Sequence, residues 1–372
     1  MKVFKLMSSK TFIELGVPAK IADVLAAQGI DAPFPIQVDS LPDTLAGRDV
    51  LGRGKTGSGK TLAFSIPMVA RLADSASNRN EQRKPRGLVL APTRELATQI
   101  TNTLQPLANA LNLRVTTIFG GVNQKRQVQA IRDGVEIIVA TPGRLEDLMG
   151  QGILKLDAIE ITVLDEADHM ADLGFLPGVT RILNATPRGG QRLLFSATLD
   201  NGVNKLVEKF LQNQVTHAVD EANSPVAQMT HHVFEAADAE AKKRLVYALA
   251  SGVERRILFM RTKHHAKKLA KALTQAGIPA VDLHGNLSQA ARDRNLEAFS
   301  EGKAKVLVAT DVAARGVHVD GVSLVIHVDP PAEHKAYLHR SGRTARAGAA
   351  GDVVTISPVS YTHLRAHETV LD

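Results

Sequence analysis

The chain has no cysteine and no tryptophan among its 372 residues, and aromatic side chains make up only 4% of it. Without cysteine there are no disulfides, no thiolate metal sites and no cysteine nucleophile, a usage that fits a reducing cytosol. So few aromatics leave little for serial base stacking, so any grip on single-stranded nucleic acid has to run through phosphate and sugar. No apolar run approaches the roughly 18 residues a membrane span requires. The opening Met1 to Leu6 is too short for the apolar core of a signal peptide, and a soluble, cytoplasmic, monomeric protein with no membrane partner is expected.

What is present is a globular composition, 44% hydrophobic and 22% charged, in a chain long enough for two ordinary domains. Lys and Arg number 45 against 38 Asp and Glu, and the net charge of +7 suits a polyanionic partner without proving one. Continuously apolar segments at 87–91, 114–119, 136–140, 161–164 and 193–195 read as strands of a parallel sheet covered on both faces. Between them lie helical patterns such as Glu95 to Leu111, with Leu96, Ile100, Leu104 and Leu107 on one face. A second strand series, at 257–260, 281–283, 306–309, 324–328 and 353–356, alternates with helices near 262–275 and 288–299.

The expected fold class is therefore α/β, with two tandem doubly wound parallel-sheet domains at 11–218 and 229–358. A short extension (1–10) precedes them, a polar linker (219–228) joins them, and 359–372 reads as a non-native or disordered tail.

Gly54-Lys55-Thr56-Gly57-Ser58-Gly59-Lys60-Thr61 fits the pattern G-x-x-x-x-G-K-S/T between an apolar segment and a helical one, the context a phosphate-binding loop needs. Backbone N–H groups from Thr56 through Gly59 and the helix N-terminus suit phosphate, Lys60 adds a mobile charge, and the Thr61 hydroxyl can ligate Mg²⁺. About a hundred residues on, Ile161-Thr162-Val163-Leu164 ends in Asp165-Glu166-Ala167-Asp168. Carboxylates at that strand tip can hold Mg²⁺ through water (Asp165) and activate a water molecule (Glu166); alone, the quartet would read as a solvated helix cap.

That quartet spells the name motif of the DEAD-box RNA helicases, and the chain resembles this family from about Phe12 to Ser357. In order it carries Pro35-Ile36-Gln37, the phosphate loop, Pro92-Thr93-Arg94-Glu95-Leu96-Ala97, Gly120-Gly121, Thr141-Pro142-Gly143-Arg144, the quartet and Ser196-Ala197-Thr198. There follow Gln289-Ala290-Ala291-Arg292, Ala309-Thr310-Asp311-Val312-Ala313-Ala314-Arg315-Gly316 and His339-Arg340-Ser341-Gly342-Arg343-Thr344-Ala345-Arg346.

The resemblance implies two RecA-like domains and an ATP-dependent RNA helicase, whose RNA-stimulated ATP hydrolysis drives local strand separation of RNA duplexes or remodelling of ribonucleoprotein; a non-catalytic ATP-gated RNA clamp is the alternative. It implies adenine reading by Gln37 with Phe12 stacked on the base, a further nucleotide contact at Gly316, and ATP with Mg²⁺ as cofactors. Ser196, Thr198 and His339 would couple the ligand sites. Arg343 and Arg346 would meet the γ-phosphate, sharing with His339 one face of what reads as a helix. Sequence-independent backbone contacts to single-stranded or duplex RNA would come from Thr93, Arg94, Gly120, Gly121, Thr141 and Arg144 in the first domain and Arg292 and Thr310 in the second. Blander readings stay open: a core aromatic for Phe12, a cap-and-turn role for Ser196 and Thr198, a solvated basic face for the arginines. The chain departs from the family at Gly54, Ser341 and Ala345, which leave the charged groups untouched, and at His318, where an expected carboxylate is missing and nucleotide affinity or its pH sensitivity should change, since an imidazole accepts only when neutral.

Overall fold

A computed structural model describes residues 10–54, 57–75, 84–218, 229–314, 319, 321–345 and 350–358. Contacts divide the chain into two units, Met1–Ser224 and Pro225–Asp372.

The first unit runs α1 (Ala19–Ala27), α2 (Pro35–Leu45), β1 (Val50–Arg53), α3 (Lys60–Ser75), β2 (Gly87–Leu90), α4 (Arg94–Ala110), β3 (Val115–Ile118), α5 (Lys125–Arg132) and β4 (Ile137–Ala140). It continues through α6 (Pro142–Gly150), β5 (Ile161–Leu164), α7 (Ala167–Asp172), α8 (Leu176–Asn184), β6 (Gln191–Ser196), α9 (Asn201–Phe210) and β7 (Val215–Ala218). The strands pair in parallel in the order β3-β4-β2-β5-β6-β1-β7.

Successive strand side chains point to opposite faces. Val89, Val163, Leu193 and Phe195 therefore join one core with α1 to α4, while Leu88, Leu90, Leu164 and Leu194 join the other with α6 to α9. Burial on both sides is the reason these strands read as unbroken apolar runs.

The second unit runs β8 (Met229–Ala236), α10 (Ala239–Ala250), β9 (Arg255–Phe259), α11 (Lys263–Gln275), β10 (Ala280–Leu283), α12 (Gln289–Ser300), β11 (Val306–Ala309), α13 (Asp311–Ala314), β12 (Val322–His327), α14 (His334–Ser341) and β13 (Gly351–Pro358). Its strands are also parallel, in the order β10-β11-β9-β12-β13-β8.

Two features depart from the sequence reading. The edge strands β7 and β8 carry mixed polar sequences, VTHA and MTHHVFEA, largely exposed along their length, so they lack the apolar signature of the central strands. The helix expected to carry His339, Arg343 and Arg346 on one face stops at Ser341. Beyond the cap at Gly342 the chain reaches a left-handed turn at Ala345 (φ 52°). Arg343 is thus not helical, and Arg346, like Thr56, Gly316, His318 and the linker, lies outside the described residues.

Candidate active site

The sheet order sets β2, β5, β6 and β1 side by side, and in a parallel sheet their C-terminal tips line one edge. Arg53 at the end of β1 is in register with Ser196 at the end of β6, and Leu164 on β5 is in register with both Leu90 and Leu194. Two loop contacts extend this register: the Gly54 N–H donates to Ser196 O (3.2 Å) and the Asp165 N–H to Leu90 O (3.0 Å). The phosphate loop, the acidic quartet and Ser196-Ala197-Thr198 are thereby brought together.

Lys60 opens α3, is only 7% exposed, and its Nζ donates to Gly54 O at 2.7 Å. Gly59 takes φ +91°, open only to glycine without strain, and a Cβ there would meet Gln37 Nε2 at 2.7 Å and Phe34 Cβ at 3.0 Å. Ser58 Oγ is buried with no partner among the described residues, a polar atom in need of a ligand oxygen at a loop built for phosphate. Thr61 sits half-buried in the first turn of α3.

Asp165 is 3% exposed. Burial pushes its carboxyl up to about 7 against the opposing pull of the Lys60 ammonium, with Glu166 adding a like charge. Glu166 adopts a left-handed backbone, φ 50° and ψ 52°, a conformation that costs a non-glycine residue about 1 kcal/mol or more. Its N–H donates to Asp165 Oδ1 (2.9 Å) and its Oε2 lies 3.1 Å from His169 Nδ1. His169 escaped the sequence reading, although its i+3 spacing from Glu166 on a helix was a usable signal.

Asp168 is the junction. One oxygen takes the His169 N–H, the other takes both N–H and Oγ1–H of Thr198, and the Asp168 N–H donates to Ser196 Oγ, which itself donates to Thr198 O (2.7 Å). Ser196 and Thr198 therefore bind the quartet directly.

Gln37 is fully buried in the first turn of α2. Its Oε1 accepts the Phe34 N–H and its Nε2 donates to Gly59 O, both at 2.9 Å, so both ends of the amide hold the phosphate loop. Phe12 packs in the first core at 4% exposure. Stacking on a base would need ring surface that this packing does not offer.

Residues 34–206 match the DEAD/DEAH box helicase family and 240–348 the helicase conserved C-terminal domain. The chain is 36% identical over 366 residues to RNA helicase CrhR from Synechocystis sp., covering 98% of this chain and 73% of that protein. It is 40% identical over 334 residues to ATP-dependent RNA helicase RhlB from Pseudomonas syringae pv. tomato, covering 88% and 84%. The chain belongs to the DEAD-box RNA helicase family. Its fold matches Dbp5 from Saccharomyces cerevisiae bound to RNA and ADP BeF3, with a TM-score of 0.82 and 31% identity over 94% of this chain and 90% of that one.

The remaining DEAD-box motif residues fall in two groups. In the first unit Thr93 caps α4, accepting the Leu96 N–H at 3.2 Å. The neighbouring Arg94 lies so close to Gly121, at φ +74°, that a Cβ there would overlap its guanidinium. Gly120 has open space around it. Thr141 occupies the N-cap position of α6 without a side-chain capping bond, and Arg144 reaches Val122 O (3.4 Å), on the Gly120-Gly121 loop.

In the second unit Arg292 on α12 donates to Ala313 O (3.3 Å), while Thr310 O accepts the Ala313 and Ala314 N–H groups, so this pair also converges. His339 lies on α14, and its carbonyl accepts Arg343 Nε (3.1 Å). The sequence reading passed over Arg340, which is 3% exposed and grips Asp311 with Nε (2.5 Å) and Nη2 (2.8 Å) while Nη1 donates to Asp329 O.

Proposed function

We propose that this DEAD-box protein hydrolyses ATP in response to RNA and uses the cycle to separate short RNA duplexes or remodel ribonucleoprotein. The observation that carries the reading is the convergence of the phosphate loop, bonded through the Gly54 N–H to Ser196 O, on a quartet with a buried Asp165 that Asp168 ties to Ser196 and Thr198. Loop amides from Thr56 to Gly59 and Lys60 would hold the phosphates. Gln37 keeps the loop in shape for that task, and its adenine-reading role rests on resemblance.

Glu166, oriented by His169, would take the proton of the attacking water. Arg343 and Arg346 are the proposed cations for the γ-phosphate, with Gly316 a further nucleotide contact and His339 a coupling residue. Thr61 and Asp165 offer the hard oxygen donors Mg²⁺ prefers, and Mg²⁺ when bound would neutralise phosphate charge.

Thr93, Arg94, Gly120, Gly121, Thr141, Arg144, Arg292 and Thr310 would meet the RNA backbone without reading sequence. Among the described residues no helix is long and apolar enough to cross a membrane. A cytoplasmic monomer is the working assignment, and light scattering of the purified chain tests its oligomeric half.

Glu166→Gln is the test. Turnover should fall at least a hundredfold with RNA and ATP binding retained. Undiminished phosphate release would remove Glu166 as base, and hydrolysis indifferent to added RNA would remove the coupling.

A further inference from the structure

The phosphate loop and the quartet occupy the C-terminal edge of the first sheet. At the opposite edge, where β1, β5, β6 and β7 begin, the segments 47–49, 157–160, 187–191 and 212–213 line with Arg71 of α3 an open pocket of about 710 Å³. That volume falls in the range that accepts a small organic ligand.

Its charges are unevenly matched. Asp49 is satisfied by the N–H groups of Arg192 and Gln212, each at 2.7 Å. Glu160 accepts from Ser75 Oγ (2.9 Å) and Arg86 (3.5 Å). Arg48 is paired with Asp43 at 2.8 Å. Arg71 and Arg188 have no carboxylate within ion-pair distance among the described residues; Glu160, already held by Ser75 and Arg86, acts on Arg71 only from farther off, and Asp157 lies exposed at the rim.

Arg71 is also held in place. Its Nη1 donates to Gln191 Oε1, and Gln191 is fixed in turn because its Nε2 donates to Thr44 O (2.9 Å) and Arg48 O (2.7 Å). The guanidinium lies close against Gly47, where a Cβ would come within 2.7 Å of Nη2. Partial burial lowers the Arg71 pKa, and the nearby Glu160 carboxylate, already held by Ser75 and Arg86, opposes that loss of water only in part. Across the cavity the Pro187 to Gly190 turn presents Arg188 and the open backbone of Gly189.

We propose that this cavity binds a phosphate-bearing small molecule, its phosphate taken by Arg71 and Arg188 and its polar body by the surrounding backbone. A fixed guanidinium matches a phosphate edge through two parallel N–H donors. The cavity exceeds the needs of bare phosphate, which favours a phosphorylated metabolite over the free ion.

Calorimetric titration of the full chain with ribose 5-phosphate, inorganic phosphate and unphosphorylated ribose tests this. Ribose 5-phosphate should bind saturably to the wild type and equally to Lys60→Ala, at least tenfold more weakly to Arg71→Met and to Arg188→Met, and ribose should not bind. Inorganic phosphate binding at the same residues as tightly as the ester would assign the site to the free ion, with the phosphate chemistry upheld. If Arg71→Met loses its cooperative melting transition, Arg188→Met, on the exposed turn, decides alone. No saturable binding of either phosphate, binding lost in Lys60→Ala but kept in Arg71→Met, or ribose binding as well as its phosphate would each overturn the proposal.

Discussion

Asp168 accepts two hydrogen bonds from Thr198 through a single carboxylate oxygen, from the backbone N–H and from Oγ1–H, each 3.0 Å long. The quartet at the tip of β5 and the loop after β6 therefore move as one body.

Thr198→Val keeps the shape of the side chain and removes one of those bonds. The cost should be about 1–2 kcal/mol by denaturant unfolding, since a buried carboxylate loses a donor. Basal ATPase should survive while unwinding per ATP falls. Wild-type unwinding in this variant would show that the Oγ1 contact is structural only.

Asp165 gives the nucleotide-free protein a pH dependence. Its folded pKa, about 7, stands above the ordinary value of 3.8. The folded state therefore binds the proton more tightly, and stability falls as pH rises from about 4 to about 7, then levels. At about 1.4 kcal/mol per unit the full effect is on the order of 4 kcal/mol. Denaturation midpoints of wild type and Asp165→Asn across pH 4–8 check it: the variant should lack this fall, and parallel curves would refute it.

Gln37→Leu should weaken ATP and GTP together, because the amide lost is the one bonded to Phe34 N–H and Gly59 O. A cost of about 1–3 kcal/mol in stability should accompany it. Selective loss of ATP over GTP, at unchanged stability, would instead restore direct adenine reading.

Asp311→Ala strands the Arg340 guanidinium, 3% exposed, without its bidentate partner. Because the Asp311 side chain is one-third exposed, its removal should cost about 1–3 kcal/mol rather than the full cost of a wholly buried pair, and Arg340→Met with Asp311→Ala should cost less than Asp311→Ala alone. A double-mutant cycle by chemical denaturation tests this, and strict additivity would rule the pair out as a coupled unit.

Ala345 occupies a left-handed turn (φ 52°) two residues after Arg343. Ala345→Gly should raise stability by about 1 kcal/mol by relieving that strain. A lower melting temperature would mean that flexibility gained in the unfolded chain outweighs the relief.

The central strands were legible because burial on both faces writes unbroken apolar runs, and the phosphate loop and quartet because their chemistry fixes residue type and spacing. Edge strands β7 and β8 were not, since half-exposed backbone pairing places little demand on side chains. Gln37 and Phe12 show the limit at the site: residue type told what each could do to adenine, but only packing shows one holding a loop and the other in the core. His169 and Arg340 were missed because their value lies in a partner, Glu166 or Asp311, that single-residue reading does not pair with them.

The insertion of β1 between β6 and β7 constrains how the protein is made. Residues 50–53 leave the ribosome long before the strands at 191–196 and 215–218 that flank them in the sheet. At about 5–20 residues per second the early strand waits on the order of ten seconds or more for its neighbours. A nascent chain stalled before Gln191, lacking β6 with Ser196 and Thr198, should thus be unable to close its nucleotide pocket, and during that interval the apolar β1 segment is a natural client for chaperones.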